Sequence, residues 1–308
     1  MFTRNYWNPN HPILINNKEF RKQIEEPYII IDGGAAGDIE EPFSHIKDIS
    51  KFVRFEPRGS ETVIMTEDIY VDGGLWKEDN VKKLHVAKRR TTSSLYPPNK
   101  QFLDNFDNRY GLPPRTTEFK LDINLRSIDS AVKNKEIPKP NFIKLDIHSA
   151  EFEAIQGSIN SLDENLGFLV ETWHSDVHKG QHLHGEIESF LVSKGYEVFD
   201  LRPAAEWKYK YKEKVAMFDK PRYIGSEMLF FRKNIPDHLM LKFIGLCDLF
   251  NFSNLAICAI EKSKNQKIKN LLTIYELLLK RKKKFWRWKK FGFLSEIKME
   301  IKKILFNK

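Results

Sequence analysis

Three acidic residues close short apolar runs, and their placement offers the chemistry of this chain. Asp32 follows Tyr28-Ile29-Ile30-Ile31 and opens the side-chain-poor stretch Gly33-Gly34-Ala35-Ala36-Gly37-Asp38. Glu56-Pro57 closes Phe52-Val53-Arg54-Phe55, and Asp146 closes Phe142-Ile143-Lys144-Leu145. A glycine-rich turn lets a ligand approach the main chain closely, but the G-x-G-x-x-G spacing that admits a pyrophosphate is absent. That absence argues against a nicotinamide oxidoreductase. A carboxylate at Asp32 repels a pyrophosphate and suits a cationic amino group. S-adenosylmethionine (SAM) carries such a group together with a sulfonium. Glu56, about one β-α-β unit further on, stands where ribose hydroxyls are usually gripped. Asp32-Gly33-Gly34 alone fits an ordinary turn equally well; Glu56 at the end of the next run favours the SAM pocket.

Methyl transfer from a sulfonium is an in-line displacement. The acceptor oxygen must be held near the methyl carbon and, in an alcohol, must lose its proton. Asp146 is the first candidate for positioning or deprotonating the acceptor, although it equally suits a cap for the helix that follows. His148 titrates nearest neutrality and is read either as the base or as a neutral hydrogen-bonding group. Five of the nine histidines, His148, His174, His178, His182 and His184, fall in or near one stretch beside Glu171 and Glu186. Gly180 and Gly185 interrupt their spacing, which lacks the tight pattern of a zinc site, so no metal is expected. Glu171 and His174 follow a strand at the same edge as Asp146 and are second-rank candidates.

These groups need a parallel sheet to bring them together. Tyr28–Asp32, Phe52–Phe55, Phe142–His148 and Gly167–Glu171 are short and apolar, as strands buried on both faces are. A helix over Ile39–Ile49 is expected to point its free N–H groups into the Gly33–Gly37 turn. Glu67–Val71 reads as a third strand with Val81–Val86 as a hairpin partner, and Gly73, Gly74 and Leu75 are placed beside the adenine. Phe119–Leu125 reads as a strand and Arg126–Asn134 as a helix. Ser149 suits the N-cap of a helix over Ala150–Ile159, and Gly195 suits the stop of a helix over Gly185–Lys194. Tyr196–Leu201 and Glu227–Phe231 complete a sheet of about seven strands. The alternation predicts a doubly wound, Rossmann-like α/β fold.

The ordered set Ile31-Asp-Gly-Gly-Ala-Ala-Gly-Asp38, Val53-Arg-Phe-Glu-Pro57, Thr92-Ser-Ser-Leu-Tyr-Pro-Pro-Asn99 and Phe142-Ile-Lys-Leu-Asp-Ile-His-Ser-Ala-Glu151 resembles the FkbM-type methyltransferases over residues 25–233. The resemblance implies a class I methyltransferase sheet and a SAM-dependent O-methyltransferase acting on a sugar or polyketide hydroxyl. It implies that Ser94, in a proline-rich loop otherwise read as a plain connector, lies close to the cofactor, and that Lys144-Leu145-Asp146 is the family's Lys-x-Asp strand end. Gly180-Gln181-His182-Leu183 resembles the family's Gly-Gln-x-Leu segment, which makes Glu171, His178, Gln181 and His182 candidates for an acceptor-binding loop. Where the family has an acidic or amide residue followed by glycine, this chain has His148-Ser149. A module that keeps the pocket but has lost catalysis is therefore the reading outside enzymes. In the full enzyme reading, Asp32 takes the methionine amino group, residues 33–38 offer backbone N–H groups, and Glu56-Pro57 with Gly74, Leu75 and Ser94 hold the nucleoside.

The chain has 308 residues, 41% hydrophobic and 30% charged, and a net charge of +9. These are values of an ordinary globular chain, long enough for one α/β domain over residues 1–236 and a helical region over 237–308. Residues 280–308 carry twelve Lys/Arg against Glu296 and Glu300, so the rest is near neutral. Leu239–Ile260 and Ile268–Leu279 read as two helices. Cys247 and Cys258 would lie three turns apart on the first, too far for a disulfide, which points to a reducing, cytoplasmic setting. The basic, aromatic segment 280–306 has the composition of an interfacial helix on anionic lipid. Packing on the core or a second subunit, as in a homodimer, and nucleic acid are its alternatives, the last without a visible base-reading element.

Overall fold

The computed structural model describes residues 12–57, 68–277 and 280. They divide into two compact units, residues 26–235 and a second that joins the stretch up to Glu25 with the region from Pro236 onward. Among the described residues the first unit has ten strands: β1 (Tyr28–Gly33), β2 (Ser50–Glu56), β3 (Ile69–Asp72), β4 (Gly74–Leu75), β5 (Asn80–Ala87), β6 (Thr117–Arg126), β7 (Phe142–Leu145), β8 (Gly167–Trp173), β9 (Tyr196–Trp207) and β10 (Arg222–Arg232). Seven form one sheet in the order β3-β2-β1-β7-β8-β10-β9. The first five are parallel, and β10 runs antiparallel between β8 and β9. The chain winds outwards in both directions from β1 and β7, as expected of a doubly wound α/β fold. The crevice at that reversal is where such sheets bind ligands.

Alternation along the strands explains the layering. Ile31, Val53, Ile143, Phe168, Val170 and Phe230 form one buried cluster with Ile128, Ala154, Ile155, Ile187 and Leu191 from the helices Ile128–Lys133, Glu151–Gln156 and His184–Ser193. Each such side chain stabilises the fold by about 1.5–3 kcal/mol when fully buried. Successive side chains on a strand face opposite ways, so Asp32, Arg54 and Lys144 share the other face. The helix His184–Ser193 buries Ile187 and Leu191, four residues apart, and ends at Gly195, whose φ of 88° continues no helix.

Two local expectations give way. No α-helix covers Ile39–Ile49; the segment becomes a 3₁₀ helix only from Phe43, because Pro42 has no N–H and restricts the residue before it. Val81–Val86 is not the partner of the third strand. It lies in β5, which pairs antiparallel with β6 in a separate three-stranded sheet β4-β6-β5.

In the second unit, one helix over Leu239–Ile260 is replaced by two, Met240–Leu249 and Ser253–Lys262. Asn251 breaks them apart at φ 66°, a left-handed conformation that asparagine tolerates better than most residues. Cys247 and Cys258 thus sit on different helices, one buried and one exposed, both as thiols. Asp248 is buried and accepts the N–H groups of Leu14 and Ile15 at 2.6 and 3.0 Å and the hydroxyl of Tyr275 at 2.9 Å. Among the described residues no helix is long and apolar enough to cross a membrane. The segment 281–306, with its expected lipid, packing or nucleic-acid contacts, lies outside the described residues.

Asp248→Ala is expected to strand two buried amides and a hydroxyl, each costing about 1–3 kcal/mol. Urea unfolding followed by circular dichroism should show a loss of about 3 kcal/mol; an unchanged midpoint would refute this role.

Candidate active site

Parallel register places Arg54, Asp32 and Lys144 side by side on β2, β1 and β7. Lys144 Nζ lies 3.1 Å from Asp32 Oδ1, and Arg54 Nε lies 3.5 Å from Asp32 Oδ2. Burial alone would lower Lys144, but the carboxylates of Asp32 and Asp146 hold it above the usual lysine range. Asp32, expected to take a ligand amino group, thus lies in the cavity wall with its charge already balanced from within. Arg54 is fully buried, and its guanidinium also donates to the carbonyls of Ala35 and Gly37 at 2.8 and 3.0 Å, pinning the turn after β1. The amides of Gly34 and Ala35 are likewise engaged, both donating to the Phe55 carbonyl at 3.2 and 3.3 Å. They do not offer themselves to a ligand as the sequence suggested, and the helix meant to add further N–H groups is absent. Gly34 has φ 81°, and a Cβ there would stand 2.0 Å from the Asp146 carbonyl oxygen. Only glycine lets β1 and the end of β7 meet so closely.

A cavity of about 350 Å³ opens over the carboxyl ends of β1, β2, β7 and β8 and reaches back along this face to Ile30 and Phe52. Its β2 end is formed by Glu56, Pro57, Gly74, Leu75 and Asp38, all expected there, and its β7–β8 end by Asp146, His148 and Glu171. Gly33 and Gly37 shape the turn but are not in the wall. Ser93 and Leu95 line the cavity, whereas Ser94 between them is buried and donates to the His148 carbonyl at 2.5 Å. Ser94 thus holds the loop after β7 and does not face the cavity, where a nucleoside contact was expected. The wall holds eight carboxyl groups, including Glu227, against the cationic side chains of Arg89, Arg90 and Lys144 and the imidazole of His148.

The loop between β7 and the helix Glu151–Gln156 aims the β7–β8 end. His148 and Ser149 adopt φ of 51° and 88°, an uncommon left-handed pair for residues with side chains. Glu151, buried, accepts the N–H groups of Ile147 and Ser149 at 2.9 and 2.8 Å. Burial and the nearby Glu171 raise its carboxyl well above the ordinary range. Ser149 is not the expected N-cap, since Ala150 holds that position. Its hydroxyl instead pairs with His178 Nδ1 at 2.8 Å and donates to Gln181 Oε1 at 2.9 Å, and Gln181 Oε1 also accepts the His178 N–H.

Those bonds make His178 and Gln181 a buttress behind the loop; neither lines the cavity. Burial first, then the charge of His148, lowers His178 well below the usual imidazole range. His182 stacks on Phe152 and pairs with Glu186 at 2.8 Å, and His174 bonds Ser226 Oγ at 2.9 Å between the rings of His184 and Tyr223. Neither lines the cavity, so His178, Gln181 and His182 of the expected acceptor-binding set stand outside its wall, as does His174, and only Glu171 of that set lies in it. Strand end, loop and helix thus spread the histidines over different surroundings, with only His174 and His184 in ring contact with each other among the described residues, at 4.0 Å.

His148 and Glu171 stay in the wall. Nδ1 of His148 is 3.2 Å from Glu171 Oε2, and its ring lies nearly parallel to that of Trp173, at 6.1 Å and 29°. Burial would lower His148, but Glu171 and then Asp146 push it up to about 9. Burial, reinforced by Asp146, raises Glu171. Sequence reasoning gave no site role to Glu227, nor to the side chains of Lys144 in the Lys-x-Asp strand end and of Arg89 and Arg90 in the loop before Ser94. Lys144 was within reach, because a residue two before Asp146 on one strand shares its face.

A family model described as the methyltransferase FkbM domain matches residues 45–198. The hexuronic acid methyltransferase AglP of Haloferax volcanii is 34% identical over 62 residues, 20% of this chain and 26% of that protein, so the match spans about a quarter of the curated relative. Among solved structures, a methyltransferase FkbM from Methylobacillus flagellatus KT shares 13% identity over 67% of this chain and 44% of its own, with a TM-score of 0.35. A precorrin-6y C5,15-methyltransferase from Geobacter metallireducens GS-15 shares 13% over 71% and 90%, with a TM-score of 0.29.

Gly34→Ala is expected to push the Asp146 carbonyl away and strain a left-handed residue, at a cost of about 1–3 kcal/mol. Thermal unfolding should fall by several degrees, whereas Gly37→Ala, with nothing within 4 Å of the added carbon, should lose less. Equal losses would refute the steric argument.

Proposed function

The chain belongs to the FkbM methyltransferase domain family, and on that premise we propose that it transfers a methyl group from SAM to a hydroxyl of a sugar. The acidity of the cavity wall is the observation that carries this reading: eight carboxyl groups against Arg89, Arg90, Lys144 and His148 suit a cationic ligand and repel a pyrophosphate. SAM supplies, when bound, a methyl group activated by a sulfonium. Glu56, buried at the end of β2, is placed to accept from ribose hydroxyls, and Leu75, Leu84, Leu95 and Ile123 give an apolar wall for a flat base. The ligand's positive charge is met by the wall as a whole, since Asp32 is already paired.

At the other end, Asp146 holds the acceptor hydroxyl and takes its proton on a carboxylate oxygen as the new bond forms. His148 and Glu171 flank that position and orient the sugar. A sugar acceptor is supported by the named activity of the Haloferax relative on a hexuronic acid. Arg89 and Arg90 add two cationic groups to the wall, on the segment before Ser93. A nicotinamide cofactor is disfavoured by the acidic wall and by the engaged amides of Gly34 and Ala35.

Calorimetric titration with SAM, S-adenosylhomocysteine and NAD tests this. The two adenosyl ligands are expected to bind one per chain and NAD not at all. Glu56→Gln should weaken SAM at least tenfold, which is about 1.4 kcal/mol. Binding of NAD alone would overturn the reading.

A further inference from the structure

The mixed donor set at the β7–β8 end offers more than a base. Asp146, His148 and Glu171 each present one ligating atom, and these atoms lie within 4.8 Å of one another in the cavity wall. Atoms around a single ion bound at about 2.0–2.2 Å stand about 3–4 Å apart, so small side-chain movements bring all three onto one centre. A second observation points the same way. His148 Nδ1 and Glu171 Oε2 are shut off from solvent and face each other at 3.2 Å as an ion pair out of hydrogen-bond alignment, with no other partner among the described residues. A cation that replaces the imidazole's proton would take both atoms.

The surrounding protein fixes that arrangement. Asp146 is anchored through its N–H to the Gly33 carbonyl at 3.1 Å, the His148 carbonyl accepts from Ser94, and Glu171 lies within β8. Left-handed backbone at His148 and Ser149 turns the loop so that the imidazole meets Glu171.

We propose that Asp146, His148 and Glu171 bind one divalent cation of the Mn²⁺ or Mg²⁺ class. Two carboxylates with one imidazole form a hard-to-borderline donor set, and three protein ligands leave coordination positions open to the cavity. Those positions suit two neighbouring oxygens of the acceptor, a vicinal diol or a hydroxyl beside a carboxylate. The cation then fixes which hydroxyl faces the donor and lowers its pKa. The inference rests on the methyltransferase reading for the acceptor's role, but the cation site stands on its own geometry.

The metal-stripped full chain is titrated with Mn²⁺ by calorimetry, with bound ion counted by electron paramagnetic resonance, and with SAM in parallel. One Mn²⁺ per chain is expected, weakened at least tenfold by Glu171→Gln and by Asp146→Asn and unchanged by Glu40→Gln at the same cavity. Absence of Mn²⁺ binding, or equal weakening by Glu40→Gln, overturns the site. Should either carboxylate variant misfold by circular dichroism, His148→Asn decides. Asparagine tolerates the left-handed backbone and removes the imidazole, so Mn²⁺ affinity should again fall tenfold, and unchanged affinity refutes the proposal. SAM binding without Mn²⁺ would sink the cation alone; Mn²⁺ binding without SAM would sink the methyltransferase reading alone.

Discussion

The row Arg54–Asp32–Lys144 is the constraint on which the sheet edge depends. Three charges stand on three adjacent parallel strands in register, two of them flanking the third. Charges taken out of water are costly unless paired and hydrogen-bonded, and here each supplies the other's compensation. The pairing constrains register as well as charge. A one-residue slip of β1 or β7 would turn Asp32 or Lys144 into the apolar cluster on the opposite face. Arg54 extends the constraint beyond the strands, since its bonds to the Ala35 and Gly37 carbonyls hold the turn that closes the cavity.

From that edge the site is assembled by close approach of backbones. Gly34 admits the Asp146 carbonyl, and Asp146 returns an N–H to Gly33. The loop beyond then turns left-handed at His148 and Ser149, supported by Glu151 from one side and by Ser94, His178 and Gln181 from others. Most polar residues near the site therefore work as supports, and only a few face the cavity. This also explains how His148 and Ser149 hold φ of 51° and 88° although neither is glycine. The left-handed backbone is retained by the buttress around it, with no glycine to relieve its strain.

The sheet was legible because buried parallel strands write themselves as short apolar runs, and their carboxyl ends were marked by Asp32, Glu56 and Asp146. Glu171 followed from the same logic. The histidine stretch misled, since His174, His178, His182 and His184 are near in sequence while the chain runs from strand through loop to helix between them. Ser94 and Gln181 were expected to face ligands, but their hydroxyl and amide bond to protein groups. Lys144 and Arg54 were visible as letters within apolar strands, yet their partner in Asp32 appears only when the strands are aligned.

Periodicity, turn residues and carboxylates at strand ends are local properties, and the sequence by itself determined them: an α/β sheet, its active edge and the acidic groups along it. Which of those groups face the cavity was decided by tertiary structure alone. That choice depends on register between strands far apart in the chain and on a left-handed loop held by residues from three separate segments. Long-range pairing sets both, and no local pattern encodes which distant carbonyl or carboxylate a side chain will meet.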